Sequence, residues 1–128
     1  MSTEALYGAL IAEHWKRPRN FGELPSPDAA HEGTNPLCGD RVRIELKLDA
    51  GRIALAHFRG DACMVATAAA SLLTTMVRGL SLQEAAQLSR DTLVAALQAP
   101  LRPSRLACAA LPLEVLREAI SNHQRGAK

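Results

Sequence analysis

Apolar residues change their spacing from one end of the chain to the other. Over residues 3–16, Leu6, Ala9, Leu10 and Trp15 recur at helical spacing, and Pro18 disfavours helical geometry at Arg17, so this helix should stop there. Arg17 to Gly22 then reads as a turn, followed by a mobile loop holding Pro25, Pro27 and Gly33. After Cys38 the pattern becomes alternation. Val42, Ile44, Leu46 and Leu48 face one way, and Arg41, Arg43, Glu45 and Lys47 the other, which describes a half-buried strand. Asp49-Ala50-Gly51-Arg52 supplies a hairpin turn, and residues 53–59 return as a second strand with Ile53, Leu55 and His57 set against Ala54, Ala56 and Phe58. Gly60-Asp61-Ala62 is expected to add a short third strand before the backbone turns into a helix near Cys63.

Beyond Cys63 the spacing is helical again. Residues 64–78 are mostly small and apolar around much of the circumference, as in a buried helix, and Gly79 suits its C-terminal cap. Ser81-Leu82-Gln83-Glu84 has the form of a capping box. Ser89 is placed to cap a helix over 91–97 that stops before Pro100. Residues 103–111 are expected to be irregular or one short helix. A last helix should start at Pro112, a residue suited to a first helical turn, and end near Asn122, leaving 123–128 as a frayed tail. Strands and helices are therefore segregated. The expected fold is a single α+β domain over 1–128, a small three-stranded antiparallel sheet against about five helices, with 1–34 forming an N-terminal helix and mobile loop.

Composition narrows the function. The 128 residues suffice for one domain with a core; 48% are hydrophobic and 22% charged, as in a folded globular protein. Aromatics at 3% supply few platforms for stacking single-stranded nucleic acid, and a net charge of +2 is too small to imply a nucleic-acid or membrane partner. The most lipid-like run, 62–77, is too short to span a bilayer and contains Thr67, Ser71, Thr74 and Thr75. Three cysteines, an odd number, fit a secreted disulfide scaffold poorly and a reducing cytoplasm well.

Those cysteines carry the candidate chemistry. Cys38 stands in Asn35-Pro36-Leu37-Cys38-Gly39-Asp40, with a carboxylate two residues from the thiol; Cys63 lies at an expected helix start; Cys108 follows Arg105. A helix N-terminus and nearby cations, here Arg41 and Arg105, favour the thiolate, which is both the metal-binding and the nucleophilic form. Three thiolates and the Asp40 carboxylate satisfy tetrahedral zinc, and they also approach the four-cysteine set of an iron–sulfur cluster. The single oxygen is the harder and weaker donor, so such a site would hold a cluster less permanently. His14, His31, His57 and His123 show no ligand spacing and read as surface or core histidines. Spacings of 25 and 45 positions between the cysteines, with no C-x-x-C pair, do not by themselves define a site.

The flanking motifs add what spacing lacks. Residues 7–22 with His14, Trp15 and Pro18-Arg19-Asn20-Phe21-Gly22, then Asn35-Pro36-x-Cys38-Gly39-Asp40, Gly60-x-x-Cys63 with its alanine- and serine-rich helix, and Pro103-x-Arg105-x-x-Cys108-Ala109-x-Leu111, together resemble the NifU N-terminal, IscU and SufU group of iron–sulfur cluster scaffolds. The resemblance spans nearly the whole chain. It implies a site made by Cys38, Asp40, Cys63 and Cys108, any of whose cysteines is a candidate acceptor of persulfide sulfur from a cysteine desulfurase. It implies a transient [2Fe–2S] cluster passed to apo iron–sulfur acceptor proteins, in a cytoplasmic monomer or weak homo-oligomer. The alternative it carries is a zinc-dependent, SufU-like sulfurtransferase, with zinc in the same ligands; a further one is a paralogue keeping zinc as a structural ion. The chain departs from IscU wording at Ala107, where those members carry histidine, and at Pro100 to Arg105, which lacks the Leu-Pro-Pro-Val-Lys segment.

Overall fold

The computed structural model describes residues 8–126, in the order α1 (Ala9–Lys16), β1 (Ala29–Asn35), β2 (Asp40–Asp49), β3 (Arg52–Asp61), α2 (Met64–Val77), α3 (Leu82–Ala86), α4 (Arg90–Ala96) and α5 (Pro103–Gly126). The sheet is antiparallel with order β1-β2-β3. This is the expected α+β architecture of a three-stranded sheet with five helices. The part of the first helix expected over 3–7 lies outside the described residues.

The third strand is not where the sequence pattern put it. Gly60 and Asp61 continue β3, paired with Val42 and Arg41, and the missing strand is β1, inside the stretch expected to be a mobile loop. Ala-Ala-His-Glu-Gly-Thr-Asn has no branched or aromatic run to announce a strand. It is extended because it pairs with β2 from Ala29↔Leu46 to Asn35↔Asp40 and packs on α5. At Gly33 the strand and helix are so close that a Cβ would lie 2.8 Å from Val115 Cγ2.

Val42, Ile44 and Leu46 of β2 point into the core, as their alternation requires. In β3 the register shifts opposite Lys47/Leu48, so Ile53, Ala56 and Phe58 are the buried set, and Leu55 and His57 lie on the other face. The bulge explains why a strict alternation from Ile53 assigns the wrong face. Against the inner face lie α5 and α2, whose alanines at 66, 68, 69 and 70 are fully buried and let the helices approach closely. Each large aliphatic group enclosed there contributes on the order of 1.5–3 kcal/mol.

The outer face is crossed by a strap. Its start pairs at the edge of β3, with Gly22 N–H donating to Phe58 O, and its end joins β1, where Asp28 N–H donates to Leu46 O. Between them Leu24 N–H donates to the buried Glu45 carboxylate (2.8 Å), which also accepts from Arg43 Nε (2.8 Å). Burial pushes Glu45 up, but the Leu24 and Arg43 hydrogen bonds and the Arg43 and Arg59 charges together hold it below its ordinary value.

Capping follows the sequence. Ser81 and Glu84 form a reciprocal capping box, Ser89 Oγ accepts from Thr92 N–H, and Gly79 follows α2 at φ +89°. The C-terminal region does not. One helix runs from Pro103 to Gly126, so residues 103–111 are helical, Pro112 is interior, and 123–126 are not a frayed end. Pro112 lacks the N–H that would bond the carbonyl of Cys108, yet ten residues of this helix are buried. That packing outweighs the missing hydrogen bond.

Candidate metal centre

The turn between β1 and β2 is built by one side chain and one backbone carbonyl. Cys38 and Gly39 N–H both donate to Asn35 O (3.2 and 2.8 Å), and Leu37 N–H donates to Asn35 Oδ1 (3.2 Å). Gly39 adopts φ +73°, a conformation glycine reaches without a Cβ clash. This turn leaves the Cys38 side chain exposed, with Asn35 Nδ2 3.6 Å from its sulfur, and starts β2 with Asp40 pointing inward, only 2% exposed.

Asp40 reaches the start of α2. Its Oδ1 accepts from Cys63 N–H at 2.7 Å, and Cys63 is the N-cap, its sulfur accepting from Ala66 N–H at 3.4 Å. Gly60 permits this approach: a Cβ there would lie 2.1 Å from the Arg41 carbonyl oxygen. From the opposite side α5 delivers Cys108, fully buried, with its sulfur 3.2 Å from that of Cys38.

The donor atoms of Cys38, Asp40 and Cys108 thus lie within 4.8 Å of one another, the only such cluster of three or more among the described residues. Cys63 falls outside that set but borders it, through its N–H on Asp40 and its thiol beside Cys108. Burial, then the Cys38 and Cys63 neighbours, push the Cys108 thiol up to about 12, against a lowering contribution from the hydrogen bond of Arg105. Arg105 therefore bears on a site thiol, as its sequence position suggested. A metal ion entering here would displace the Cys108 proton.

The donor set fits a soft or borderline metal. Asp40 Oδ2 is buried without a hydrogen-bond partner among the described residues, a costly state for a carboxylate oxygen that a cation would relieve. Two sulfurs and one oxygen lie together, and the bordering Cys63 sulfur would complete the four donors that tetrahedral zinc or a cluster takes. The four histidines take no part in the cluster. His14 Nδ1 meets Ser71 Oγ at 2.7 Å, His31 meets Asn122, and His123 meets the Asp28 carbonyl. His57 Nδ1 is buried without a partner among the described residues.

Sequence reasoning missed the role of the opening motif. Ser71 Oγ also accepts from Arg19 N–H (2.8 Å), Asn20 Nδ2 donates to Thr74 Oγ1 (3.2 Å), and Asn20 itself sits at φ +60°. His14, Arg19 and Asn20 therefore clamp the N-terminal segment onto α2, the helix whose N-cap, Cys63, is held by Asp40. Serine and threonine at 71 and 74 inside an apolar helix were the available signal.

The chain is similar to known proteins along nearly its whole length. The family model for the NifU-like N terminal domain matches residues 6–128. The zinc-dependent sulfurtransferase SufU of Bacillus subtilis is 30% identical, across 96% of this chain and 95% of that protein. An iron–sulfur cluster assembly scaffold protein IscU of Archaeoglobus fulgidus is 32% identical, across 94% of this chain and 78% of that protein. Among solved structures, a putative SUF-system scaffold from Fervidobacterium islandicum superposes with a TM-score of 0.77 at 21% identity, covering 93% of this chain and 99% of that one. A NifU-like N-terminal protein from Brucella abortus gives 0.75 at 22%, covering 91% and 92%. The cysteine-bearing turn, the capped helix start and the buried third thiol thus stand in a chain that belongs to the NifU-like N-terminal domain family of iron–sulfur cluster assembly proteins.

Proposed function

We propose that this protein is a scaffold on which a labile iron–sulfur cluster, a [2Fe–2S] unit, is assembled on Cys38, Cys63, Cys108 and Asp40 and then passed to apo-proteins. The observation that carries the reading is the convergence of two thiols and a buried carboxylate with an unpartnered oxygen at a surface turn. Sulfur arrives as persulfide from a cysteine desulfurase, and Cys38 is the acceptor because it is the exposed thiol while Cys108 is enclosed. The Cys38 thiolate attacks the terminal sulfur of the donor persulfide. The donor S–S bond breaks, its electron pair leaves on the donor thiolate, and Cys38 becomes the persulfide. Asp40 is the weak ligand whose release lets the cargo depart.

A second reading keeps the same residues and replaces the cargo with zinc, giving a sulfurtransferase. It is favoured by the likeness to SufU over nearly the full length of both chains and by the fit of the donor set to tetrahedral zinc. Anaerobic reconstitution of metal-stripped protein with iron, cysteine and a desulfurase separates the two. A cluster absorption spectrum that disappears in Cys38→Ser, Cys63→Ser and Cys108→Ser supports the scaffold. A colourless protein that raises desulfurase turnover only when loaded with zinc overturns it in favour of the sulfurtransferase.

A further inference from the structure

The two edges of the sheet are treated unequally. The outer edge of β3 is covered twice: by the strap, with Gly22 N–H on Phe58 O and Phe58 N–H on Asn20 O, and by the segment after α2, with Ile53 N–H on Leu80 O and Gly79 N–H on Ile53 O. Among the described residues, no backbone hydrogen bond reaches residues 29–34 of β1 from the side away from β2. β1 has no proline, pairs with β2 over seven residues without a bulge, and carries Glu32 as its one charged edge residue.

A groove runs beside that open edge. One cavity of about 190 Å³ lies between His31, Gly33 and Thr34 of β1 and Leu111, Val115 and Glu118 of α5. It shares Thr34, Leu111 and Glu114 with a second of about 160 Å³, which shares Thr34, Asn35 and Pro36 with a third of about 250 Å³ ending at Gly39 and Asp40. Each is smaller than the roughly 300 Å³ of an ordinary small-molecule pocket. Set in line along a strand edge, they suit successive side chains of an extended chain. The floor is apolar, with Leu111 and Val115 buried, while Glu114 and Glu118 stand exposed one helical turn apart on the far wall. Neither of these, nor Glu32 of β1, has an ion-pair partner among the described residues.

We propose that this groove docks an extended, basic segment of a partner protein, which adds as a strand along β1 and places its cationic side chains against Glu114 and Glu118. Backbone pairing supplies affinity and the acidic wall supplies selection. The groove ends at the turn bearing Cys38, so the docked chain holds its protein next to the reactive thiol. The inference stands independently of which metal or cluster the site carries.

The test uses the full chain and a fluorescent peptide of alternating valine and lysine matched in length to β1. Binding is read by anisotropy, and backbone amide shifts by nuclear magnetic resonance. The expected result is saturable binding with shifts concentrated at 30–35 and 111–118, weakened by about tenfold in the exposed-site variant Glu114→Lys/Glu118→Lys and by rising salt. A peptide N-methylated on alternate backbone nitrogens facing the edge should not bind, and a valine–glutamate peptide should bind at least as weakly as the lysine peptide binds the charge-reversed variant. Equal binding of the N-methylated peptide, shifts elsewhere, or no effect of charge reversal would each overturn the proposal.

Discussion

Replacing Ser71 by alanine should loosen the N-terminal segment without touching a site residue. Ser71 is fully buried, and its hydroxyl joins two elements, meeting His14 Nδ1 at 2.7 Å and accepting from Arg19 N–H at 2.8 Å. Arg19 N–H occupies one lone pair, which leaves the hydroxyl proton free to point at His14 Nδ1 and favours the neutral imidazole. Alanine fills nearly the same volume, so no appreciable cavity opens; the loss is two hydrogen bonds to groups that the fold keeps from water. An unsatisfied buried group costs about 1–3 kcal/mol, and the Arg19 bond is only partly buried, so the sum should be about 2–3 kcal/mol. Urea unfolding measures it, and hydrogen exchange locates it, with protection lost over 9–20 and retained in β2. Titration adds a second signature. Burial first, then the Arg19 charge, lower the His14 pKa from 6.5, with Glu13 opposing. The folded state therefore prefers neutral histidine, and the unfolded chain binds the proton more readily. Stability contributed by His14 is present above pH 6.5 and falls as pH drops through the folded value. The slope should vanish in His14→Leu. A loss below about 0.5 kcal/mol in Ser71→Ala, set against that expected penalty for buried groups, or exchange that rises equally everywhere, would refute the clamp.

Three other perturbations probe different parts of the frame. Gly60→Ala forces a Cβ to within 2.1 Å of the Arg41 carbonyl; it should destabilise by about 3 kcal/mol or more, read as a lower urea midpoint, because backbone on both sides must shift. Glu45→Gln removes the charge that accepts from Leu24 N–H and Arg43 Nε; a loss of about 1.5–3 kcal/mol is expected above pH 4.5, fading as pH falls through the depressed folded value, in thermal unfolding across a pH series. Asp40→Ala deletes the weak donor and the orphaned oxygen together. It should change the rate at which a reconstituted cluster leaves for an apo-acceptor by more than it changes fold stability, and equal release rates from the two proteins would remove Asp40 from that role.

How much of this was legible depended on what each residue's neighbours demanded. The alternation of β2 could be read because one face is buried and the other wet, and the capping box because its partners lie three residues apart. Strand β1 could not, since nothing in Ala-Ala-His-Glu-Gly-Thr-Asn prefers extension; pairing to β2 and contact with α5 impose it. Pro112 misled for the converse reason. Its local preference for a first turn is real, but the burial of Cys108, Leu111, Val115 and their neighbours keeps one helix on both sides of it.

The site shows the same division between identity and state. Motifs name Cys38, Asp40, Cys63 and Cys108, and the helical pattern after residue 63 puts the second thiol at a helix start, but nothing in the spacing says that the first is exposed and the third is buried. That gradient follows from three different carriers: a turn tip, a helix start and the buried flank of a long helix. It has a chemical consequence. A thiol on a turn is reached by a bulky donor, whereas the enclosed thiol is shielded from one, with its sulfur 3.2 Å from that of Cys38. Alkylation of the metal-free protein with a large maleimide should therefore modify Cys38 first and Cys108 last, read by peptide mass spectrometry. Equal labelling of the two would mean that the turn does not hold Cys38 over Cys108, and with it would go the geometric reason for placing sulfur entry at Cys38.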